Sequence, residues 1–380
     1  MSNFVHQYQR ELDRCRQQFE SLDLRKEKGY LFKFTTFSAS VQNILPEIPI
    51  EKHEDLFQKL LLQQVYTTFD QQFLTANDLI QTKGPIRKLI NSQQPNIYCT
   101  FHLGSYRLLT SYLYRNGIDL ALLVSRGTYQ EQGKDIWSTI RGLQKKHKLT
   151  NSFQILDAEE TSSTLQVIRE LRAGTSLVIF IDGVTSTTGI NRQEDKEVQV
   201  RFGAKNVWAR KGVGFLSYLT KTPIVPVISY RERNLNNVLS FLDPIVPEAG
   251  CDRDTYCQLS LQHLYDSFWQ YLTRYPEQWE GWNYIHKFLD QHELEQQADA
   301  YQKPHRQKLI NTKRVVFNQD RYSICDLEDA PILFDRRLYV TYEISADLRD
   351  FLLQIGTIET PEEILGSDMY LDLLSKQIIV

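Results

Sequence analysis

The sequence predicts an α/β protein: a mostly parallel sheet with helices on both faces, preceded by a helical layer and followed by a small α+β unit. Three observations carry that prediction. From Asn96 to Ser229, short β-rich runs alternate with segments whose apolar residues recur at helical spacing, the rhythm of strand–helix–strand units. Most of the chain before Asn96 has helical periodicity instead. Residues 292–311 are rich in Gln, Glu and Lys and poor in large apolar side chains, which marks a linker before a separate unit from Thr312 to Val380. The expected division is 1–95, 96–291, 292–311 and 312–380.

Taken in order, Phe4, Val5, Tyr8, Leu12, Cys15 and Phe19 fall at roughly helical spacing with charges between them. Gly29 to Phe37 reads as aromatic and β-rich, and Pro46 and Pro49 break whatever precedes them. Leu56, Leu60, Leu61, Val65, Phe69 and Phe73 predict a long helix over Glu51–Phe73. Ala76–Ile90 reads as a shorter helix, interrupted at Gly84-Pro85. The sheet strands are then Ile97–Phe101, Asp119–Ser125, Phe153–Leu156, Ser176–Ile181 and Pro223–Ser229. Ser105–Arg115, Asp135–His147, Thr161–Arg172 and Val207–Thr220 are the helices between them. Val198–Phe202 and Val238–Leu242 add strands at an edge, and Asp254–Tyr275 is a long amphipathic helix. In the tail, VVFNQDRYSICDLEDAPILFDRRLYVTYEI alternates like a small meander, with Asp320 and Asp335 near turns. Ala346–Ile355, Pro361–Leu365 and Met369–Ser375 predict three short helices, with Thr360 capping the one that begins at Pro361.

Composition narrows the function. The 380 residues are enough for one large or two ordinary domains, and 41% hydrophobic with 24% charged residues is the balance of a globular chain. A formal net charge of -3 gives no electrostatic reason to expect nucleic acid as a partner. No apolar run approaches the roughly 18 residues of a membrane span, and MSNFVHQYQRELDRCRQQ has no signal-peptide core. The expected location is the cytoplasm. Cys15, Cys99, Cys251, Cys257 and Cys325 are odd in number and scattered, so reduced thiols are expected rather than disulfides or a metal knuckle. Glycine-rich dinucleotide fingerprints, P-loops, metal-ligand clusters and repeats are absent, and no cofactor is implied.

The candidate site centres on NIYCTFHLGSY. His102 ends a strand, Gly104 lets the backbone turn, and a helical pattern follows. That places the imidazole at the carboxyl edge of a parallel sheet, where such folds hold their chemistry. Cys99, three residues earlier on the strand, reads as a small buried hydrophobe rather than a nucleophile.

Six stretches in order then resemble the lysophospholipid acyltransferase superfamily, closest to its lipid A late (lauroyl and myristoyl) acyltransferases. FHLGSYR corresponds to the family's histidine-plus-acid motif and LLVSRG, with Arg126, to its arginine-bearing one. FIDGVTS resembles the third motif and TPIVPV the proline-bearing fourth. RFGAKNVWARKG and PEQWEGW match the later phenylalanine–glycine and tryptophan stretches. The match runs from about Asn96 to Leu289. The resemblance implies transfer of a fatty acyl group from a thioester, acyl-CoA or acyl carrier protein, to a hydroxyl or amine. Lipid A acyltransferases usually open with a membrane helix. Its absence from this sequence points to a soluble relative with a different acceptor, and peripheral membrane contact stays open.

In that scheme His102 is the general base, and Gly104, Ser105, Arg126, Gly183, Thr185, Arg201, Phe202 and Gly203 are matched to substrate-binding positions. The family's acid should fall five residues after the histidine, where this chain has Arg107. A guanidinium cannot accept a hydrogen bond from the imidazole. Three alternatives follow: Asp182, the best placed by motif, orients His102; a backbone carbonyl does so; or catalysis is lost and the site only binds an acyl chain or peptide. Arg107 then serves the acceptor or a nearby carboxylate. Arg201, Lys205, Arg210 and Lys211 add positive charge suited to the phosphates of acyl-CoA or to an acidic carrier protein. FDRRLYVTYEIS, TPEEI and KQIIV in the tail resemble winged-helix units that bind leader peptides, which implies a peptide or natural-product acceptor presented by the C-terminal unit.

Overall fold

The computed structural model describes residues 2–27, 29–92, 94–183, 194–290, 292–296, 315–327 and 330–380. The chain forms two compact units, neither of them a single run of sequence. The first comprises Met1–Leu22, Gln58–Gly203 and Val207–Phe288; the second comprises Asp23–Phe57, Ala204–Asn206 and Leu289–Val380.

The first unit is built on a seven-stranded sheet. Its strands are β1 (Gln81–Lys83), β2 (Ile97–Thr100), β3 (Leu120–Val124), β4 (Phe153–Asp157), β5 (Ser176–Phe180), β8 (Ile224–Arg231) and β9 (Asn237–Phe241), in the order β1-β9-β8-β2-β5-β3-β4. The five strands from β8 to β4 are mutually parallel. β9 runs antiparallel to β8, with β1 outside it at the edge. Every residue of β2 and β8 is buried, which is why both read as near-continuous apolar runs rather than alternating ones.

The crossovers are α5 (Leu108–Arg115), α6 (Arg126–His147) and α7 (Ser163–Arg172). Ser125 caps α6 by accepting from the Thr128 N–H, so this helix starts nine residues before the predicted Asp135. α8 (Gly212–Thr220) and α9 (Arg253–Leu272) follow, the latter capped by Asp252. α1 (Ser2–Glu20) and most of α3 (His53–Gln72) complete the unit, with Tyr8, Leu12 and Tyr66 packed around Leu108 of α5.

Four local expectations are corrected. Val207–Thr220 is not one helix: β6 (Glu197–Phe202) and β7 (Lys205–Arg210) form a separate two-stranded hairpin, and the helix begins only at Gly212. Gly203, at φ 60°, makes the hairpin turn, so Val198–Phe202 is not an edge strand of the large sheet. Ala76–Ile90 also divides, into a 3-10 turn (Leu74–Asp78), β1 and a short helix, α4 (Ile86–Asn91). Gly84 separates the last two at φ 87°, where a Cβ would sit 1.8 Å from the Phe241 carbonyl oxygen. Gly29–Phe37 is helical rather than β, within α2 (Tyr30–Ile44). Tyr30, Phe32 and Phe34 alternate like a strand, and every residue from Thr35 to Val41 is buried, which removes the polar stripe that marks a helix in sequence.

In the second unit, β10 (Tyr322–Leu327), β11 (Ala330–Asp335) and β12 (Val340–Glu343) form an antiparallel meander. Helices Ala346–Gln354, Pro361–Leu365 and Ser367–Ser375 follow. Thr360 precedes Pro361 as the flanking residue but makes no side-chain cap bond. Tyr322, Leu333, Leu352, Ile355, Leu373, Ile378 and Ile379 form its core, and Arg321 pairs with the buried Asp335 at 2.8 Å. Of the expected polar linker, residues 292–296 are helical and 297–311 lie outside the described residues.

Candidate active site

The site is set by strand register. β2 and β5 are parallel neighbours, with Thr100 opposite Phe180, and the Ile181 N–H donates to the Thr100 carbonyl at 3.1 Å. Two residues beyond that pair on each strand stand His102 and Asp182. The pleat thus brings an imidazole and a carboxylate together at the carboxyl edge of the sheet.

Beyond His102 the chain is clamped. Leu103 bridges to Trp279, the Gly104 N–H donates to the Gln278 carbonyl at 3.0 Å, and the Glu280 N–H donates to the His102 carbonyl at 3.0 Å. Gly104 sits at φ 57°, and a Cβ there would lie 2.7 Å from the Tyr230 Cα. Only glycine lets the chain turn this close to β8.

Asp182 accepts three hydrogen bonds. Its Oδ1 meets His102 Nδ1 at 2.5 Å, while Oδ2 accepts from the His102 backbone N–H at 2.8 Å and from Trp279 Nε1 at 2.9 Å. Burial pushes this carboxyl up. The facing imidazole and the three hydrogen bonds outweigh it and hold Asp182 below the usual carboxylate range. Burial likewise pushes His102 down, but the charge and hydrogen bond of Asp182, helped by Glu280, outweigh it and lift the imidazole above its ordinary value; Arg107 opposes that lift. With Nδ1 committed to Asp182, Nε2 is the nitrogen left for chemistry. The ring is held between Tyr106 and Phe180, with centroids 4.7 Å and 4.8 Å away.

A cavity of about 530 Å³ opens beside the imidazole. Its walls come from the ends of β3 and β5, from α5 and α6, and from residues 280–288. Leu122, Leu123, Ile136, Ile140, Ile179 and Phe180 make them largely apolar. Polar groups gather near His102: Glu280, Arg107 and Tyr106 all line the cavity. Burial raises the Glu280 carboxyl above its ordinary value, against the lowering effect of His102 and Arg107.

Arg107 turns away from the His102–Asp182 contact. Its Nη1 donates to Gln71 Oε1 at 2.5 Å and its Nε to Tyr106 Oη at 3.3 Å. Gly183 also lines the cavity, at φ 63°, with no room for a Cβ beside the Phe288 ring. Five other predicted substrate residues lie elsewhere. Ser105 is fully buried and donates to Asp70 Oδ2 at 2.5 Å. Arg126, at the start of α6, is half exposed and paired with Asp157 at 2.9 Å, outside the cavity lining. Arg201 is exposed on β6, where its backbone N–H donates to Gln262 at 2.9 Å. Phe202 is buried in an aromatic stack with Phe268. Gly203 makes the hairpin turn, and Thr185 lies outside the described residues. Cys99 is buried with its thiol pushed well up, and all five cysteines are free.

Several contributors escaped sequence reasoning. Glu280 stands inside PEQWEGW, and the tryptophans drew attention away from the acid between them. Asp70, fully buried, pairs with Arg231, which also donates to Ser105 Oγ at 2.9 Å and to Tyr8 Oη at 3.1 Å. Asn237 donates to Asp70 at 2.9 Å. This network underlies the turn that carries His102. Its sequence signal was a charge inside an apolar pattern, Asp70 beside Phe69 and Arg231 ending a fully buried strand.

Among the described residues no three His, Cys, Asp or Glu side chains cluster to hold a metal, and no helix is long and apolar enough to cross a membrane. No family model matches the chain, and no curated protein matches it. Among solved structures it is similar to the 1-acyl-sn-glycerophosphate (LPA) acyltransferase of Thermotoga maritima, at 12% identity and a TM-score of 0.33, over 66% of this chain and 97% of that one.

Proposed function

We propose that the protein is an acyltransferase that moves a fatty acyl group from a thioester, acyl-CoA or acyl carrier protein, to a hydroxyl or amine. One observation carries this reading: a His102–Asp182 pair beside an apolar-walled cavity of about 530 Å³. The volume falls within the usual range of small-molecule pockets, roughly 300–1,000 Å³. Each methylene that leaves water for such walls contributes about 0.8 kcal/mol, so the cavity suits an acyl chain.

In the reaction, Nε2 of His102 takes the acceptor's proton as the nucleophile attacks the thioester carbonyl. The bond from the acceptor to the carbonyl carbon forms, the C–S bond breaks, and the imidazolium gives its proton to the thiolate, which leaves as thiol. Asp182 fixes the tautomer that leaves Nε2 unprotonated and stabilises the cation between the two steps. An acid supplied from β5 supports catalysis over the passive binding protein that Arg107 suggests. The motif order that resembles the lysophospholipid acyltransferases supports the same reading. Work in the cytoplasm on soluble thioesters belongs to this proposal.

The test is thiol release from a series of saturated acyl-CoA thioesters. Wild type should release thiol, and His102→Ala should lose at least about 10²-fold in rate, the scale of general-base help. A folded His102→Ala that released thiol at the wild-type rate would overturn the assignment.

A further inference from the structure

We propose that the acceptor is an α-amino acid, or a compound with the same amine-beside-carboxylate arrangement, gripped between Arg107 and Glu280. This rests on the acyl-transfer reading and names the substrate class of that site.

Both side chains line the cavity beside His102. They are joined through Tyr106, whose Oη accepts from Arg107 Nε at 3.3 Å and donates to Glu280 Oε2 at 3.2 Å. Arg107 Nη1 is occupied by Gln71. Arg107 Nη2 and Glu280 Oε1 make no hydrogen bond among the described residues, and the two groups form no direct ion pair there. Arg107 and Glu280 therefore stand on the same wall, bridged by the Tyr106 hydroxyl and not in direct contact. A plain alcohol or a monoanionic phosphate would satisfy only one of them. A zwitterion satisfies both, its carboxylate on the guanidinium and its ammonium toward Glu280.

The second acid also fits the proton inventory. A hydroxyl sheds one proton on acylation, whereas an ammonium sheds two. Glu280 takes the first and passes it to solvent, leaving a neutral amine. Nε2 of His102 takes the second as nitrogen attacks the thioester carbonyl. The C–N bond forms, the C–S bond breaks, and the thiolate leaves as thiol with the proton from His102. The products are an N-acyl amino acid, free thiol and one proton in solution.

The experiment offers the twenty common α-amino acids and their methyl esters in parallel, with the acyl-CoA series as donor. Thiol release and N-acyl product by mass are both followed. At least one free amino acid should be acylated with a kcat/KM about 10-fold or more above that of its methyl ester, because esterification removes the partner of Arg107. Arg107→Met should abolish that preference, lowering kcat/KM for the free acid about 10- to 100-fold, the scale of a charged hydrogen bond. Arg107→Lys should restore part of it. Glu280→Gln should lower kcat for amino acids more than it raises KM. Esters accepted as well as free acids would overturn the acceptor assignment while leaving acyl transfer standing. So would a preference that survives Arg107→Met. Absence of thiol release with every donor and acceptor would sink both readings.

Discussion

Replacing Asp182 by Asn tests the site most sharply, because the outcome follows from counting donors. Three N–H groups converge on this carboxylate, two on Oδ2 and one on Oδ1. An asparagine offers one oxygen and one NH2. Keeping the oxygen toward the His102 backbone N–H and Trp279 Nε1 preserves two of the three bonds. The amide NH2 then faces Nδ1, which must become an acceptor. The ring proton moves to Nε2, and the nitrogen that should act as base carries a hydrogen. The expected loss in kcat is about 10³- to 10⁴-fold, the scale seen when an imidazole is held in the wrong tautomer. The fold should weaken by only about 1–3 kcal/mol, since two bonds survive. Thiol release from acyl-CoA gives the first number and urea denaturation the second. A folded Asp182→Asn with wild-type kcat would refute the orienting role. A loss no larger for kcat than for KM would refute it too.

The rate should also depend on pH in a way set by the same pair. His102 acts as base only when neutral, so kcat/KM falls as pH drops through its folded pKa. That midpoint lies above the ordinary 6.5 because Asp182 and Glu280 outweigh burial; in residual Asp182→Asn activity the acid limb should move down. An acid limb at or below 6.5 in wild type would contradict the assignment. Arg231→Met strands the buried charge of Asp70 and should cost about 3–5 kcal/mol. Tryptophan fluorescence during urea unfolding reads this directly, because Trp137, Trp208, Trp269, Trp279 and Trp282 all belong to the unit that holds the network. A cost below about 1 kcal/mol, the usual worth of an exposed pair, would show that the network does not hold the turn.

The sequence by itself determined the parallel strands and the strand end that carries His102. β2, β3, β4, β5 and β8 are short apolar runs between helical segments, and that signal is local: it depends on a few consecutive residues and their alternation. His102 was equally legible, because a polar residue at the end of a buried strand and two before a glycine marks a strand-to-helix turn. Local signals failed where burial is total or pairing is distant. The aromatics of Gly29–Phe37 looked β-rich because a helix buried on most of its circumference has no polar face to reveal its period. Ser105 and Phe202 matched motif positions, yet the fold commits one to a buried ion pair and the other to an aromatic stack.

Only the tertiary structure decided which acid meets the His102 ring. His102 and Asp182 are 80 residues apart, and both Asp182 and a backbone carbonyl were open as the ring's partner until the register of β2 on β5 set both residues two positions past the same pair. Glu280 reaches the cavity because Leu103 bridges to Trp279, a contact between segments that share no local pattern. Strand composition states that a segment will pair. It does not state with which neighbour or in which register, because those depend on how the whole sheet buries its two faces at once.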